Sequence, residues 1–134
     1  MPREETATRY RVMIVDDEES MRLLLAGMLS QELPVDVQLA GTSEQALRLA
    51  EKQPFDAILL DLMMPGVGGF GVLYGVRRSV PNATTPVIMV SVFSEKKTIE
   101  RCLAAGANAY LVKPVRSAEL AAAVKKQLAT RRRA

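Results

Sequence analysis

The sequence predicts an α/β fold in which a five-stranded parallel sheet is covered by helices on both faces. Three observations predict it. Short apolar runs alternate with longer segments of helical periodicity, an alternation that produces parallel strands joined by helical crossovers. The central run, residues 55–60, is apolar almost throughout, as in a strand buried on both faces. Acidic, hydroxyl and basic residues then recur at the ends of these runs, on the edge where open α/β sheets bind ligands.

The elements follow in order. Residues 1–8 read as a polar, disordered lead-in. Tyr10–Val15 (YRVMIV) is the first strand, closed by Asp16, Asp17, Glu18 and Glu19 at the start of a helix, where carboxylates meet the positive end of the dipole. Residues 20–32 carry Met21, Leu24, Leu25 and Met28 at one-faced spacing, and Pro34 ends the helix. Val35–Ala40 alternates apolar residues with Asp36 and Gln38, which suits an edge strand.

Thr42 and Gln45 form a capping-box pattern before a helix with Ala46, Leu49 and Ala50 on one face. Pro54 closes it, and the central strand ends on Asp61. Met64, Pro65 and Gly66 then force a turn. A helix over 66–79 must absorb Gly66, Gly68, Gly69, Gly71 and Gly75. Glycine costs about 1 kcal/mol per interior position, so this helix should start late or be the loosest. After a loop over 81–86, residues 87–92 form the fourth strand, with Ser91 near its end. Residues 95–105 form a helix with Ile99, Cys102 and Leu103 inward, stopped by Gly106. Ala109–Val112 is a short fifth strand ending on Lys113 and Pro114, and Ser117 caps a last helix with Leu120, Val124 and Leu128 at four-residue spacing.

Composition sets the limits. A chain of 134 residues forms one domain and buries roughly two-thirds of its unfolded surface. The formal charge of +3 owes much to Arg131, Arg132 and Arg133, a basic tail or the start of a linker, so the body is near neutral. The single cysteine, Cys102, excludes an intramolecular disulfide and fits a reducing compartment. No apolar run approaches the ~20 residues of a membrane span, and no signal-peptide core is present, so a cytoplasmic location is expected. Histidine is absent, which removes Ser-His-Asp and Cys-His catalysis and histidine metal sites. Carboxylates, hydroxyls, lysines and backbone must do the chemistry.

A doubly wound sheet can take the order 2-1-3-4-5; strands one and three are then neighbours at the switch point, which would bring Asp16 and Asp17 beside Asp61. Three carboxylates in one pocket raise one another's pKa, and a divalent cation relieves the conflict. An all-oxygen site with few protein ligands suits Mg²⁺. Asp61 can then attack phosphorus as a carboxylate nucleophile, with Lys113 as a point charge and Ser91 as a hydroxyl donor.

These residues resemble the receiver domains of two-component response regulators. The matching motifs are VDD at 15–17, LLDLMMPGVGG at 59–69, VS at 90–91 and GANAYLVKP at 106–114, within a resemblance spanning about residues 9–130. The resemblance implies a flavodoxin-like, three-layer fold, with the strand order 2-1-3-4-5, and a phosphorylation-controlled switch. Asp61 is the implied phosphoacceptor, and Asp16, Asp17, Asp61 and the backbone carbonyl of Met63 are the implied Mg²⁺ ligands. Ser91 and Lys113 would hold the phosphoryl group, Tyr110 would turn inward as Ser91 moves, and the Lys113–Pro114 peptide would be cis. The implied partners are a histidine kinase or phosphotransfer protein and a downstream target or fused output domain. No membrane or direct nucleic-acid contact is implied, and the domain would be a monomer or a phosphorylation-dependent dimer. Its readout surface would be the fourth helix, fifth strand and fifth helix, made basic by Lys96, Lys97 and Arg101. A receiver is not an enzyme on outside substrates; it catalyses only its own phosphorylation and slow self-dephosphorylation.

The sequence departs from the family at Val92, which crowds access to the acyl phosphate, while Met63 and Phe93 add apolar bulk and favour slower self-dephosphorylation. Asn108 with Ala109, and Val115, weaken the case for the acidic-basic dimer surface of the winged-helix subfamily. Taken singly, Asp16 and Asp17 fit helix capping, Lys113 a solvated lysine, and Tyr110 core packing. Residues 66–71 match GxGxxG, but Met63, Met64 and Pro65 separate the match from its strand and no acid lies between Asp61 and Glu95, so a dinucleotide site is rejected. A phosphatase of the haloacid dehalogenase kind is the alternative function. It wants a second carboxylate two residues past the nucleophile, where Met63 stands. A flavodoxin-like electron carrier is disfavoured because an acidic first loop repels phosphate.

Overall fold

A computed structural model describes residues 9–133. Five strands, β1 (Tyr10–Val15), β2 (Val35–Ala40), β3 (Ala57–Leu60), β4 (Val87–Ser91) and β5 (Ala109–Val112), alternate with five helices. The helices are α1 (Glu19–Glu32), α2 (Ser43–Lys52), α3 (Gly68–Arg78), α4 (Lys96–Ala104) and α5 (Ser117–Arg133). All strand pairs are parallel in the order β2-β1-β3-β4-β5. The expected fold class is therefore the observed one. The lead-in expected over residues 1–8 lies outside the described residues.

Strand side chains alternate between two cores, as the pleat requires. Met13, Val15, Ile58, Leu60, Val87 and Met89 face one core, closed by Ala46 and Ala50 of α2, Val72, Leu73 and Val76 of α3, and Cys102 of α4. Val12, Ile14, Ala57, Leu59, Ile88 and Val90 face the other, closed by Leu25 and Leu29 of α1 and Leu120, Val124 and Leu128 of α5. Each large aliphatic side chain so buried contributes about 1.5–3 kcal/mol of transfer free energy. β3, the middle strand, is buried along its whole length.

The structure corrects some local expectations. On α1 the buried residues are Leu25 and Leu29, whereas Leu24 is about half exposed. Leu23, Leu24 and Leu25 are consecutive, so the apolar count alone left the phase of the stripe ambiguous. Leu103 is likewise exposed. Ser117 is the first residue of α5 rather than its cap, and the first turn closes by Leu120 N–H donating to the Arg116 carbonyl. The central strand is shorter than its apolar run because Phe55 N–H donates to the Asn82 side chain and Asp56 N–H to the Arg11 carbonyl.

α3 begins late, at Gly68, for a visible reason. Gly66 and Gly68 hold φ of +83° and +72°, so the chain reverses between Pro65 and the helix through conformations that L side chains disfavour. A Cβ on Gly69 would lie 2.5 Å from the Asp61 carbonyl oxygen, so only glycine lets α3 start this close to the end of β3. At α2 the expected capping box forms in part: Thr42 Oγ1 accepts from Gln45 N–H at 3.1 Å, while Gln45 Oε1 reaches one residue past the cap and accepts from Gly41 N–H at 2.9 Å.

Candidate functional site

The sheet carries its chemistry just past the strand ends, and each residue there is tied to a neighbouring strand by its backbone. Asp16 N–H donates to the Ala40 carbonyl (3.1 Å), Asp61 N–H to the Val15 carbonyl (2.9 Å), and Lys113 N–H to the Ser91 carbonyl (2.8 Å). The side chains are thus launched from a rigid edge.

There they converge. Asp16, Asp17 and Asp61 each place a carboxylate oxygen so that the three lie within 4.8 Å of one another. Asp16 and Asp61 are buried, and Asp17 is exposed. Lys113 Nζ donates to Asp16 Oδ2 at 2.9 Å and lies 3.6 Å from Asp61 Oδ1. Asp16 Oδ1 accepts from Glu18 N–H at 2.9 Å. The donor set consists of carboxylate oxygens, without thiol or imidazole, and this fits a hard divalent cation such as Mg²⁺.

Burial pushes the Asp61 carboxyl up to about 6. Lys113 opposes that rise, Asp16 adds to it, a backbone hydrogen bond from Met63 opposes it, and Asp17 adds to it. Burial works against the Lys113 ammonium too, but its hydrogen bond to Asp16 and the charges of Asp61, Asp16 and Glu18 outweigh that and leave its pKa raised. The pocket is poised for an additional positive charge: two of its three carboxylates are buried around one ammonium.

Ser91 is fully buried beside this cluster at the end of β4. Its Oγ accepts from Phe93 N–H at 3.2 Å, and the Phe93 carbonyl accepts from the Tyr110 hydroxyl at 2.7 Å. Burial raises the Tyr110 phenol, partly offset by a hydrogen bond involving Ser91. Ser91, the β4–α4 loop and Tyr110 therefore form one connected chain. The Lys113–Pro114 peptide is cis. Met63 and Val92 are exposed, at 56% and 61%.

The structure thus brings Asp16, Asp17, Asp61 and Lys113 together and seats Ser91 and Tyr110 on the adjoining strands. Sequence reasoning missed the Glu18 amide and the Phe93 carbonyl, main-chain groups with no residue-type signal. It also missed Arg22, whose Nη1 donates to the Asp16 carbonyl at 2.7 Å. Arg22 is the sole base of α1, one turn from the acidic cluster, and that placement was available to read. A phosphatase reading finds no support: Met63 supplies no acid two residues past Asp61.

Comparison with known proteins agrees with this geometry. The chain is 38% identical over 119 residues to the phosphate regulon transcriptional regulatory protein PhoB of Rhizobium meliloti, covering 88% of this chain and 52% of that protein. It is 30% identical over 118 residues to the probable chemotaxis protein CheY of Rhizobium etli, covering 88% of this chain and 92% of that one. The chain spans about half the length of the transcriptional regulators it matches. Among solved structures, it resembles the receiver domain of the sensor histidine kinase PA1611 from Pseudomonas aeruginosa, which has a magnesium ion coordinated in its active-site cleft. That likeness has a TM-score of 0.82 at 29% identity and covers 90% of this chain and 98% of the other. The family model described as the response regulator receiver domain matches residues 12–125, and over that span the chain belongs to this family.

Proposed function

We propose that Asp61 is the phosphoacceptor of this receiver domain, taking a phosphoryl group from the phosphohistidine of a histidine kinase or phosphotransfer protein. The observation that carries the reading is the convergence of Asp16, Asp17 and Asp61 within 4.8 Å, with Lys113 between two of them. An Asp61 carboxylate oxygen forms the new bond to phosphorus as the donor's bond to phosphorus breaks, and the leaving group departs with that electron pair. Asp16, Asp17, Asp61 and the Met63 carbonyl would hold Mg²⁺, which when bound neutralises charge on the phosphoryl oxygens. Lys113 and Ser91 act on the same oxygens, one as a point charge and the other as a hydroxyl donor.

Tyr110 transmits the change. Ser91, drawn toward the phosphoryl group, pulls on the β4–α4 loop, and Tyr110 holds that loop through the Phe93 carbonyl. Phosphorylation so biases a pre-existing equilibrium of the α4–β5–α5 face, where Lys96, Lys97 and Arg101 make a basic readout surface for a target protein or output domain. Met63 and Phe93 offer attacking water no polar side chain, which fits slow self-dephosphorylation and no turnover of outside substrates. The functional unit is residues 9–130, acting as a monomer or phosphorylation-dependent dimer without direct nucleic-acid contact. No helix among the described residues is long and apolar enough to cross a membrane, which fits a cytoplasmic site of action.

The test is intact mass after incubation with Mg²⁺ and acetyl phosphate, beside Asp61→Asn and a chelator control. A single phosphoryl adduct on the wild type, absent from both controls, supports the assignment. An adduct that persists on Asp61→Asn overturns it.

A further inference from the structure

Asp16 is held from four directions. Its N–H donates to the Ala40 carbonyl, its two carboxylate oxygens accept from Glu18 N–H and Lys113 Nζ, and its carbonyl accepts from Arg22 Nη1 at 2.7 Å. The last contact differs in kind. That carbonyl belongs to the peptide joining Asp16 to Asp17, so the guanidinium fixes the plane of the link between two of the clustered carboxylates. Asp17 is exposed and has no buried surroundings to aim it, so its direction depends on that link.

The guanidinium reaches the carbonyl by passing over Gly41, just after β2. A Cβ there would lie 2.8 Å from Arg22 Nη1 and 3.2 Å from Cζ. The φ of Gly41 is not in the left-handed region, so the backbone places no demand for glycine at this position. The absent side chain serves as clearance for Arg22.

We propose that Arg22, seated over Gly41, is a positioning residue that aims Asp17 at the metal site by fixing the Asp16–Asp17 peptide. The inference rests on the reading of Asp16, Asp17 and Asp61 as a divalent-cation site. It separates from a simple charge effect in a useful way. Removing a nearby cation should tighten metal binding, whereas losing a positioning contact should weaken it, about 10-fold for a group supporting the ligands.

The experiment titrates Mn²⁺ into wild type, Arg22→Gln, Gly41→Ala and the double variant by electron paramagnetic resonance, and records the Asp17 amide resonance of each metal-free protein. Gly41→Ala keeps the charge and displaces only the flexible end of Arg22, so the fold should tolerate it. The proposal expects both single variants to bind Mn²⁺ about 10-fold more weakly, with the double variant no worse than either. It also expects the Asp17 amide to shift alike in both, since both free the preceding carbonyl. Tighter binding by Arg22→Gln, wild-type affinity in Gly41→Ala, or additive losses would overturn it. Failure of the wild type to bind Mn²⁺ would remove the metal reading itself, a separate outcome.

Discussion

Lys113 donates to Asp16 at 2.9 Å, across 97 residues of sequence, and stands 3.6 Å from Asp61. The ammonium therefore serves first as the counterion of a carboxylate that is 1% exposed. Breaking a buried pair by removing one partner strands the other. Lys113→Gln should cost about 3 kcal/mol in the metal-free protein, read from urea midpoints. It should also move the Asp61 carboxyl still higher, because Lys113 is the strongest influence holding that pKa down. An unchanged midpoint would mean that the pair contributes nothing to the fold.

Asp61 makes the protein's stability pH-dependent. Its carboxyl titrates at about 6 in the fold against 3.8 as the ordinary value, so between those limits the folded state binds more protons than the unfolded one. The stabilisation from the protonated form is complete below 3.8 and is lost as pH rises through about 6. At pH 8 the ionised carboxylate should cost about 2 kcal/mol, the roughly 3 kcal/mol implied by the shift being reduced by solvent screening, and Asp61→Asn removes that cost. Thermal melts without metal should show Asp61→Asn more stable than wild type at pH 8 and little different near pH 4. Mg²⁺ should raise the wild-type melting temperature more at pH 8 than at pH 5, since protons compete with the ion.

The Tyr110–Phe93 bond predicts where the switch is soft. Tyr110→Phe removes a 2.7 Å hydrogen bond worth about 1 kcal/mol net and leaves the phosphoryl pocket intact. Amide exchange at Phe93, Ser94 and Glu95 should speed up, while reaction with acetyl phosphate stays close to wild type. Unchanged exchange would show that the loop is held by other contacts.

Arg77 is the clearest case of a residue that composition could not interpret. Its guanidinium donates to the carbonyls of Gly106 and Thr85 and to the Asn108 side chain, at 2.8 to 3.1 Å, and burial lowers its pKa. Asn108 Oδ1 accepts from both Arg77 and Val87 N–H, so it already works as an acceptor. Asn108→Asp would keep both bonds and supply a counterion. It should stabilise the fold by about 1 kcal/mol at low salt, less at high salt, measured by chemical denaturation.

The strands and the candidate site were legible from patterns the sequence carries directly, whereas the order of the strands came in part from the resemblance to receiver domains. Apolar runs bounded by prolines and glycines marked the strands, and Asp16, Asp61 and Lys113 each stand just beyond one of them. What stayed hidden depends on contacts between distant segments. Asn82 lies in the loop over 81–86, yet it is fully buried. It donates to the Ala50 and Gln53 carbonyls at the end of α2 and accepts from Phe55 N–H and Thr85 Oγ1. No local periodicity distinguishes such an asparagine from a solvated one. The α1 face was misread at Leu24 because three adjacent leucines fit more than one phase, and only packing against α5 and β1 decides between them.

The most direct test of the phosphoacceptor assignment is borohydride reduction of the phosphorylated protein followed by peptide mapping. Hydride converts an acyl phosphate to the alcohol and leaves free carboxylates untouched, so the residue that carried phosphate becomes homoserine. Phosphorylation of Asp61 leaves homoserine at position 61 alone, dependent on Mg²⁺ and on the phosphoryl donor. Homoserine at position 16 or 17, or a stable adduct that borohydride does not reduce, would contradict it.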